Sequence, residues 1–508
     1  MLNKSILVFF VVLVASCGGG GSTSPAVAPS QPQAAAENPV ISQFSFLMAN
    51  NPELQADINL TIDGQIISGR LPTNSPVDSL IASFEIEGST LEVGAVAQNT
   101  DSTVNDFSQL VDYKVTTGDG REATYSVDLT KFTGLPIIYL STADSAVIES
   151  KDDYIQGVVT VDGGRDFASL TDAEMKIRGR GNSTWYLHPK KPFQMKLSDK
   201  SEMLGMPRDK KWLFLAEYSD KTLLRNTIVF EMGYLSNLDW TPKSEFAEVY
   251  LNQEYIGTYN ITQKVEEDDD RVALGDDGFL LEIDQLDRLD ADDVYFETNE
   301  FLINIKAPDV VQDDAQYSYI KNLISQFETI LFSASYRDPE MGYAQLIDMD
   351  SFVDWYLINE ITKNQDSRSF SSIFLNVIPG EVIKMGPLWD FDLAFGNVDY
   401  SDSRYTDGFH VRWNPWYNRM FSDPVFISRL KQRFAYFRTN QGLIMDKIDA
   451  GALKLAYAQQ ENNDKWQTMG IYVWPNPVIF DTYEQEVEHL KQWYSERMDW
   501  LEAEFNAL

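Results

Sequence analysis

Residues 178–185 read Arg-Gly-Arg-Gly-Asn-Ser-Thr-Trp, with Lys190, Lys191 and Lys196 following closely. Alternate glycines allow backbone N–H groups to close on an anion, and Arg178 and Arg180 stand beside them to neutralise it. The spacing matches neither the Gly-x4-Gly-Lys-Ser/Thr nor the Gly-x-Gly-x-x-Gly phosphate loop. A tight hairpin with a basic surface patch accounts for the same residues. Further on, Asp390 and Asp392 flank Phe391 ahead of Gly396-Asn397. Two carboxylates on such a turn either present oxygens to one or two divalent cations or cap the loop. A helix expected over 352–361 places Asp366 just past its end, free to approach a hydroxyl or a metal, or to cap a local turn. Phosphoryl transfer asks for these parts: a cationic hold on phosphates, carboxylates for Mg²⁺, and a group that positions the nucleophile.

Several motifs occur in order over roughly 136–508. They are Arg178 to Trp185, Lys191-Pro-Phe with Lys196-Leu197, Leu204-Gly-Met-Pro207 leading to Lys211-Trp212, Leu224-Arg225-Asn226, Tyr250 to Gly257, and Gly386-Pro-Leu-Trp389-Asp390-Phe391-Asp392 through Asn397. Together they closely resemble the CotH kinase family, the spore coat protein H type of atypical kinase. The resemblance implies an atypical-kinase-like α+β domain that uses ATP with Mg²⁺ or Mn²⁺ on a protein acceptor. It implies Asp366 as the catalytic residue and Asp390, with Asp392 beside it, as metal ligands. It also implies that Lys196 or Lys191 contacts the nucleotide phosphates together with Arg178 and Arg180. Gln263 departs from the pattern, since similar proteins commonly carry an acid there; Glu266, Glu267 and Glu282 are candidates to replace it. Glu282-Ile-Asp284 forms a further acidic pair on an expected strand.

The elements that must position these residues change character along the chain. Apolar runs at 137–140, 173–177, 193–197 and 246–251 predict strands, and the i, i+3, i+4 spacing over 316–332 and 483–508 predicts helices, so 136–508 reads as one α+β domain. Ahead of it, residues 38–133 alternate apolar and polar in short segments such as Ile58-Asn-Leu60-Thr-Ile62, which predicts a small antiparallel β-sandwich. This part looks like the immunoglobulin-like modules found ahead of catalytic regions in bacterial surface proteins, as a spacer or adhesive module. Residues 1–16 read as a signal peptide: Lys4, an apolar run from Ile6 to Val14, then small residues before Cys17. Val14-Ala-Ser-Cys17 resembles a bacterial lipobox, which implies lipidation at Cys17, and residues 17–37 form a Gly/Ser/Pro/Ala-rich tether. The expected location is the bacterial cell envelope, exported and lipid-anchored at the outer membrane or cell surface.

Composition narrows the field. Of 508 residues, 41 are Lys or Arg and 77 Asp or Glu, a formal net charge of −36 that disfavours nucleic-acid partners. The three histidines, His188, His410 and His489, are scattered, which leaves a zinc site or a Ser-His-Asp triad without support. A glycosidase could draw on two of the many carboxylates, with Trp413, Trp416 and Tyr417 lining a sugar groove, but that leaves the Arg-Gly turn unexplained. The competing reading of another class is a non-catalytic surface lipoprotein that keeps a kinase-like shell.

Overall fold

The computed structural model describes residues 38–54, 56–73 and 75–508. The expected signal peptide, Cys17 and tether lie outside the described residues. The described residues divide into two compact units, 38–69 with Pro76–Leu129 and Arg70–Ser75 with Thr130–Leu508.

The first unit is all β. Val40–Phe46 pairs antiparallel with Ile58–Asn59 and Ser83–Glu87 in one sheet, and in another Val111–Thr116 lies between Thr90–Val93 and Glu122–Phe132. Period-2 alternation turns Phe44, Phe46 and Tyr113 inward. Phe44 meets Tyr113, and Phe46 meets Phe107, edge to face at 5.1 and 5.0 Å, a favoured aromatic geometry.

In the second unit seven strands close into a barrel: β1 (Ile137–Thr142), β2 (Ile155–Asp162), β3 (Leu170–Gly179), β4 (Phe193–Met203), β5 (Met206–Leu215), β6 (Ser244–Leu251) and β7 (Glu254–Gln263). Their order is β1-β2-β3-β4-β5-β7-β6, and the parallel pairing of β1 with β6 closes the ring. Met175 and Ile177 on β3, Phe193, Met195 and Leu197 on β4, Trp212 and Phe214 on β5, and Tyr259 and Ile261 on β7 fill the interior. The same alternation sends Lys176, Arg178 and Lys196 to the outside. Gly179 takes an inward position because Trp185 lies across it: a Cβ there would come within 2.4 Å of the indole. The turn between β3 and β4 is not a tight hairpin. Residues 180–192 make an excursion that includes a short helix, α1 (Ser183–Leu187), which folds Trp185 back onto β3.

Five strands form a second sheet, β8 (Phe279–Asp284), β9 (Val294–Glu297), β10 (Leu302–Ala307), β11 (Ile373–Val377) and β12 (Lys384–Met385), in the order β9-β10-β8-β11-β12. The helices are α2 (Arg225–Tyr234), α3 (Ala315–Leu331), α4 (Met349–Thr362), α5 (Pro415–Met420), α6 (Pro424–Thr439), α7 (Gln441–Lys454), α8 (Ala458–Trp466) and α9 (Tyr483–Ala507). The fold is therefore mixed α+β, rich in strands towards the N-terminus and in helices towards the C-terminus. Helix α4 is buried on every side from Ser351 to Thr362, which is why its sequence is apolar all round. Asp348 caps its start by accepting the Ser351 N–H at 2.7 Å. At its far end Lys363 adopts a left-handed conformation, φ +50°, and the chain turns out towards Asp366. Arg497 of α9 holds this end: it donates to the Glu360 carboxylate at 2.6 Å and to the Thr406 and Gly408 carbonyls at 2.8 Å.

Candidate active site

A cleft of about 310 Å³ opens within the second unit, and Arg178, Arg180, Lys306, Asp366, Asp390 and Asp392 all line it. Strand β3 delivers Arg178, the loop after it Arg180, and β10 Lys306. Asp366 comes from the one-turn helix after α4, and the two remaining acids come from the loop after β12. Arg178 stacks on the Tyr154 ring at 4.8 Å, and its Nε is buried without a partner. The Arg180 guanidinium lies 5.6 Å from the Trp389 ring centre. Burial lowers its proton affinity, against the opposing fields of Asp390, Asp392 and Glu217. Both guanidinium groups thus point donors into a space walled by acids, an arrangement that an anion-plus-cation ligand satisfies better than either ion alone.

The acidic turn is held in an unusual shape. Asp390 sits at φ +66°, a left-handed conformation that non-glycine residues rarely hold without support. Three asparagines supply it. Asn226 of α2 accepts the Phe391 N–H at 2.8 Å, Asn364 donates to the Asp390 carbonyl at 3.1 Å, and Asn397 donates to the Asp392 carbonyl at 2.8 Å. Arg225, paired with the buried Asp220, donates to the Ala394 carbonyl at 3.1 Å. Gly396, at φ +74°, is required because a Cβ would meet the Trp493 indole nitrogen at 2.4 Å. The conformation is thus fixed from several elements at once, leaving the two carboxylates to face the cleft.

Crowding raises the proton affinity of these acids. Burial, reinforced by the charge of Asp390 and Asp284 and offset by Arg288, pushes Asp366 up to about 7. Burial and then Asp390 and Glu217 hold Asp392 well above the usual carboxylate range. Burial pushes Glu282 up to about 7, with Lys306 opposing the shift. Carboxylates that repel one another in a partly dry site are stabilised by a cation. Among the described residues no group of three or more His, Cys, Asp or Glu side chains forms a ready cage for a metal. Mg²⁺ does not require one, since it is commonly bound by one or two carboxylates together with substrate phosphates and water. The pair Asp390 and Asp392, facing Arg178 and Arg180, fits that mode.

Of the residues named from the sequence, Arg178, Arg180, Asp366, Asp390 and Asp392 line one cleft. Lys191 and Lys196 do not join them. The Lys191 ammonium donates to the Trp185 carbonyl at 2.5 Å and sits over the Trp185 ring. Lys196 faces outward on β4, across from Lys176 and Lys211. Two other lysines line the cleft: Lys151, which donates to the Asn182 side chain at 3.0 Å, and Lys306, whose ammonium lies 3.9 Å from Glu282 and 3.6 Å from Asp293. Gln263 is occupied in the barrel wall, accepting the Lys243 N–H at 3.0 Å. Glu217 escaped the sequence reading. It follows β5, accepts from Asn226 at 3.1 and 3.2 Å and from Asn260 at 3.3 Å, and is pushed up to about 8 by burial and Asp220. The sequence signal for it is a carboxylate ending the apolar run Trp212-Leu-Phe-Leu-Ala216, where a strand leaves the core.

A family model described as CotH kinase protein matches residues 177–501, more than half of the chain. The chain belongs to the CotH kinase protein family. Its matched span contains every cleft residue named above. A crystal structure of a proposed glycoside hydrolase from Bacteroides thetaiotaomicron is similar at 12% identity, over 57% of this chain and 89% of that one, with a TM-score of 0.17, too low to bear on fold or function. No curated protein matches.

Proposed function

We propose that this CotH family member is an exported atypical kinase that transfers a phosphoryl group from ATP to a protein acceptor with Mg²⁺ or Mn²⁺. The observation that carries this reading is the meeting of Arg178, Arg180 and Lys306 with Asp366, Asp390 and Asp392 around one cleft. In it, Arg178 and Arg180 hold the phosphates, and Lys306 takes the part expected of Lys191 or Lys196. Asp390 and Asp392 hold the divalent cation, which when bound neutralises charge on the transferring group. Asp366, half ionised near neutral pH, accepts the acceptor hydroxyl proton, the state a general base needs. The same proposal gives 136–508 an atypical-kinase-like fold and 38–133 an immunoglobulin-like identity as a spacer. It includes a signal at 1–16, lipidation at Cys17 and a place in the bacterial cell envelope, supported by the apolar run Ile6 to Val14 ahead of Val14-Ala-Ser-Cys17.

Parallel incubations of the whole chain with envelope proteins and ATP labelled at the γ-phosphoryl or at the α-phosphoryl test this. Mn²⁺-dependent labelling of protein from the γ-phosphoryl that is lost in Asp366→Asn is the expected result. Label entering only from the α-phosphoryl would mean nucleotidyl transfer. Absence of label from either position would favour the non-catalytic surface protein.

A further inference from the structure

The outer face of the barrel beside the cleft carries a row of cations. Lys176 and Arg178 share one aromatic ring, their charges 4.6 and 4.8 Å from the centre of Tyr154. Lys176 lies directly across the β3–β4 ladder from Lys196, and Lys196 directly across the β4–β5 ladder from Lys211. Lys211 pairs with Glu266, and Lys264 lies 3.7 Å from the same carboxylate. Burial pushes Lys264 down to about 8, helped by the charges of Lys211, Lys306 and Arg178 and opposed by Glu266. Arg178 and Lys306 also line the cleft.

Glu266 is shared by Lys211, Lys264 and Arg271, and Lys306 has Glu282 and Asp293 nearby, so Lys176 and Lys196 are the lysines of this face without a carboxylate of their own among the described residues. Like charges directly opposite on neighbouring strands destabilise a sheet, and here three occupy one row. Lys196, in the middle, has neither hydrogen bond nor ion pair among the described residues, in a chain where 77 acidic residues stand against 41 basic ones. Such a row is costly unless an external anion neutralises it.

We propose that this face binds an acidic polypeptide segment, bearing Asp, Glu or phosphoserine, as the docking site of the acceptor. Neighbouring strands lie about 4.8 Å apart, so the row Lys176, Lys196, Lys211 is about 10 Å long, the span of about three residues of extended chain. A short acidic motif meets this row alone. A long polyanion such as nucleic acid, or an anionic membrane, would also meet the field of a chain with net charge −36. A segment held here leaves its neighbouring residues at the cleft mouth, beside Arg178 and Lys306. The inference rests on the kinase reading only for the purpose of docking, not for the binding itself.

The test uses the whole chain without nucleotide and a fluorescein-labelled decaglutamate peptide, followed by anisotropy at low and moderate salt. Binding that weakens with salt, and that falls about tenfold or more in the double variant Lys176→Glu, Lys196→Glu, is expected. Lys196→Gln, which removes no partnered group and relieves the repulsion along the row, should weaken binding with a thermal midpoint at or above that of the wild type. The proposal is overturned if decaglutamate does not bind, if the double variant binds it equally well, or if a single-stranded oligonucleotide or phosphatidylserine vesicles bind more tightly to this face than the peptide. Nucleotide binding, measured without peptide, is untouched by any of these failures.

Discussion

Replacing Asp390 by glycine and by alanine separates what its backbone does from what its carboxylate does. At φ +66° the left-handed conformation costs a residue with a Cβ about 1–2 kcal/mol, and aspartate bears it better than alanine. Asp390→Gly removes that strain at an entropic cost of about 0.5–1 kcal/mol. It also removes a negative charge that raises the proton affinity of Asp366 and Asp392. Asp390→Ala removes the same charge but keeps the strain. Without divalent cation, the glycine variant should therefore exceed the alanine variant by a net of about 0.5–1 kcal/mol, or about 1 °C in thermal midpoint for a unit of this size, and should match or exceed the wild type. Both should lose the stabilisation that Mn²⁺ with ATP confers, a gain in stability set against a loss of function. Differential scanning calorimetry with and without Mn²⁺ and ATP reads both effects. Equal midpoints for the two variants would refute the strain. A fall of several degrees in both would mean that the carboxylate caps the loop rather than serving a ligand.

Asn226→Ala leaves the buried Phe391 N–H without the acceptor it has at 2.8 Å; a loss of about 1–3 kcal/mol, read from urea midpoints, should accompany a higher Mn²⁺ requirement for ATP binding. Arg497→Leu strips the fully buried Glu360 of its counter-charge and should destabilise by about 3–5 kcal/mol in the same assay. Asp366 and Glu282, both at about 7 in the folded state against 3.8 and 4.5 for the free groups, bind more protons folded than unfolded across that interval. The cation-free thermal midpoint should therefore fall as pH rises from about 5 to 7. Because a cation binds only the ionised carboxylates, Mn²⁺ with ATP should raise the midpoint more at pH 7 than at pH 5.

How far the sequence reached follows from what its signals encode. Period-2 alternation made Met175-Lys-Ile177 and Phe193-Gln-Met195 legible as strands, and the 3.6-residue stripe of Ile320, Ile324 and Phe327 made α3 legible to within one residue. Alternation carries no information on which strands close into a barrel, because that depends on pairing between distant segments such as β1 and β6. The acids were legible since each stands in a short motif that places it on a loop: Asp366, Asp390 and Asp392. The lysine was not. Lys196 precedes Leu197 on a strand in the manner of a phosphate-pairing residue, but barrel parity turns it outward, while Lys306 reaches the cleft from a sheet more than a hundred residues later. Glu217 was invisible for a related reason: its role depends on Asn226 and Asn260 meeting it in space. Asn226 was visible in the Leu-Arg-Asn motif, yet the bond it makes is to Phe391, across the domain.

Isothermal titration of the whole chain with ATP, with and without Mn²⁺, in the wild type and in Asp390→Ala, tests the nucleotide site most directly. The expected result is Mn²⁺-dependent binding in the wild type and its loss in a variant that still unfolds cooperatively. Binding that ignores Mn²⁺, or that survives in Asp390→Ala, would contradict the assignment of the cleft as a nucleotide and metal site.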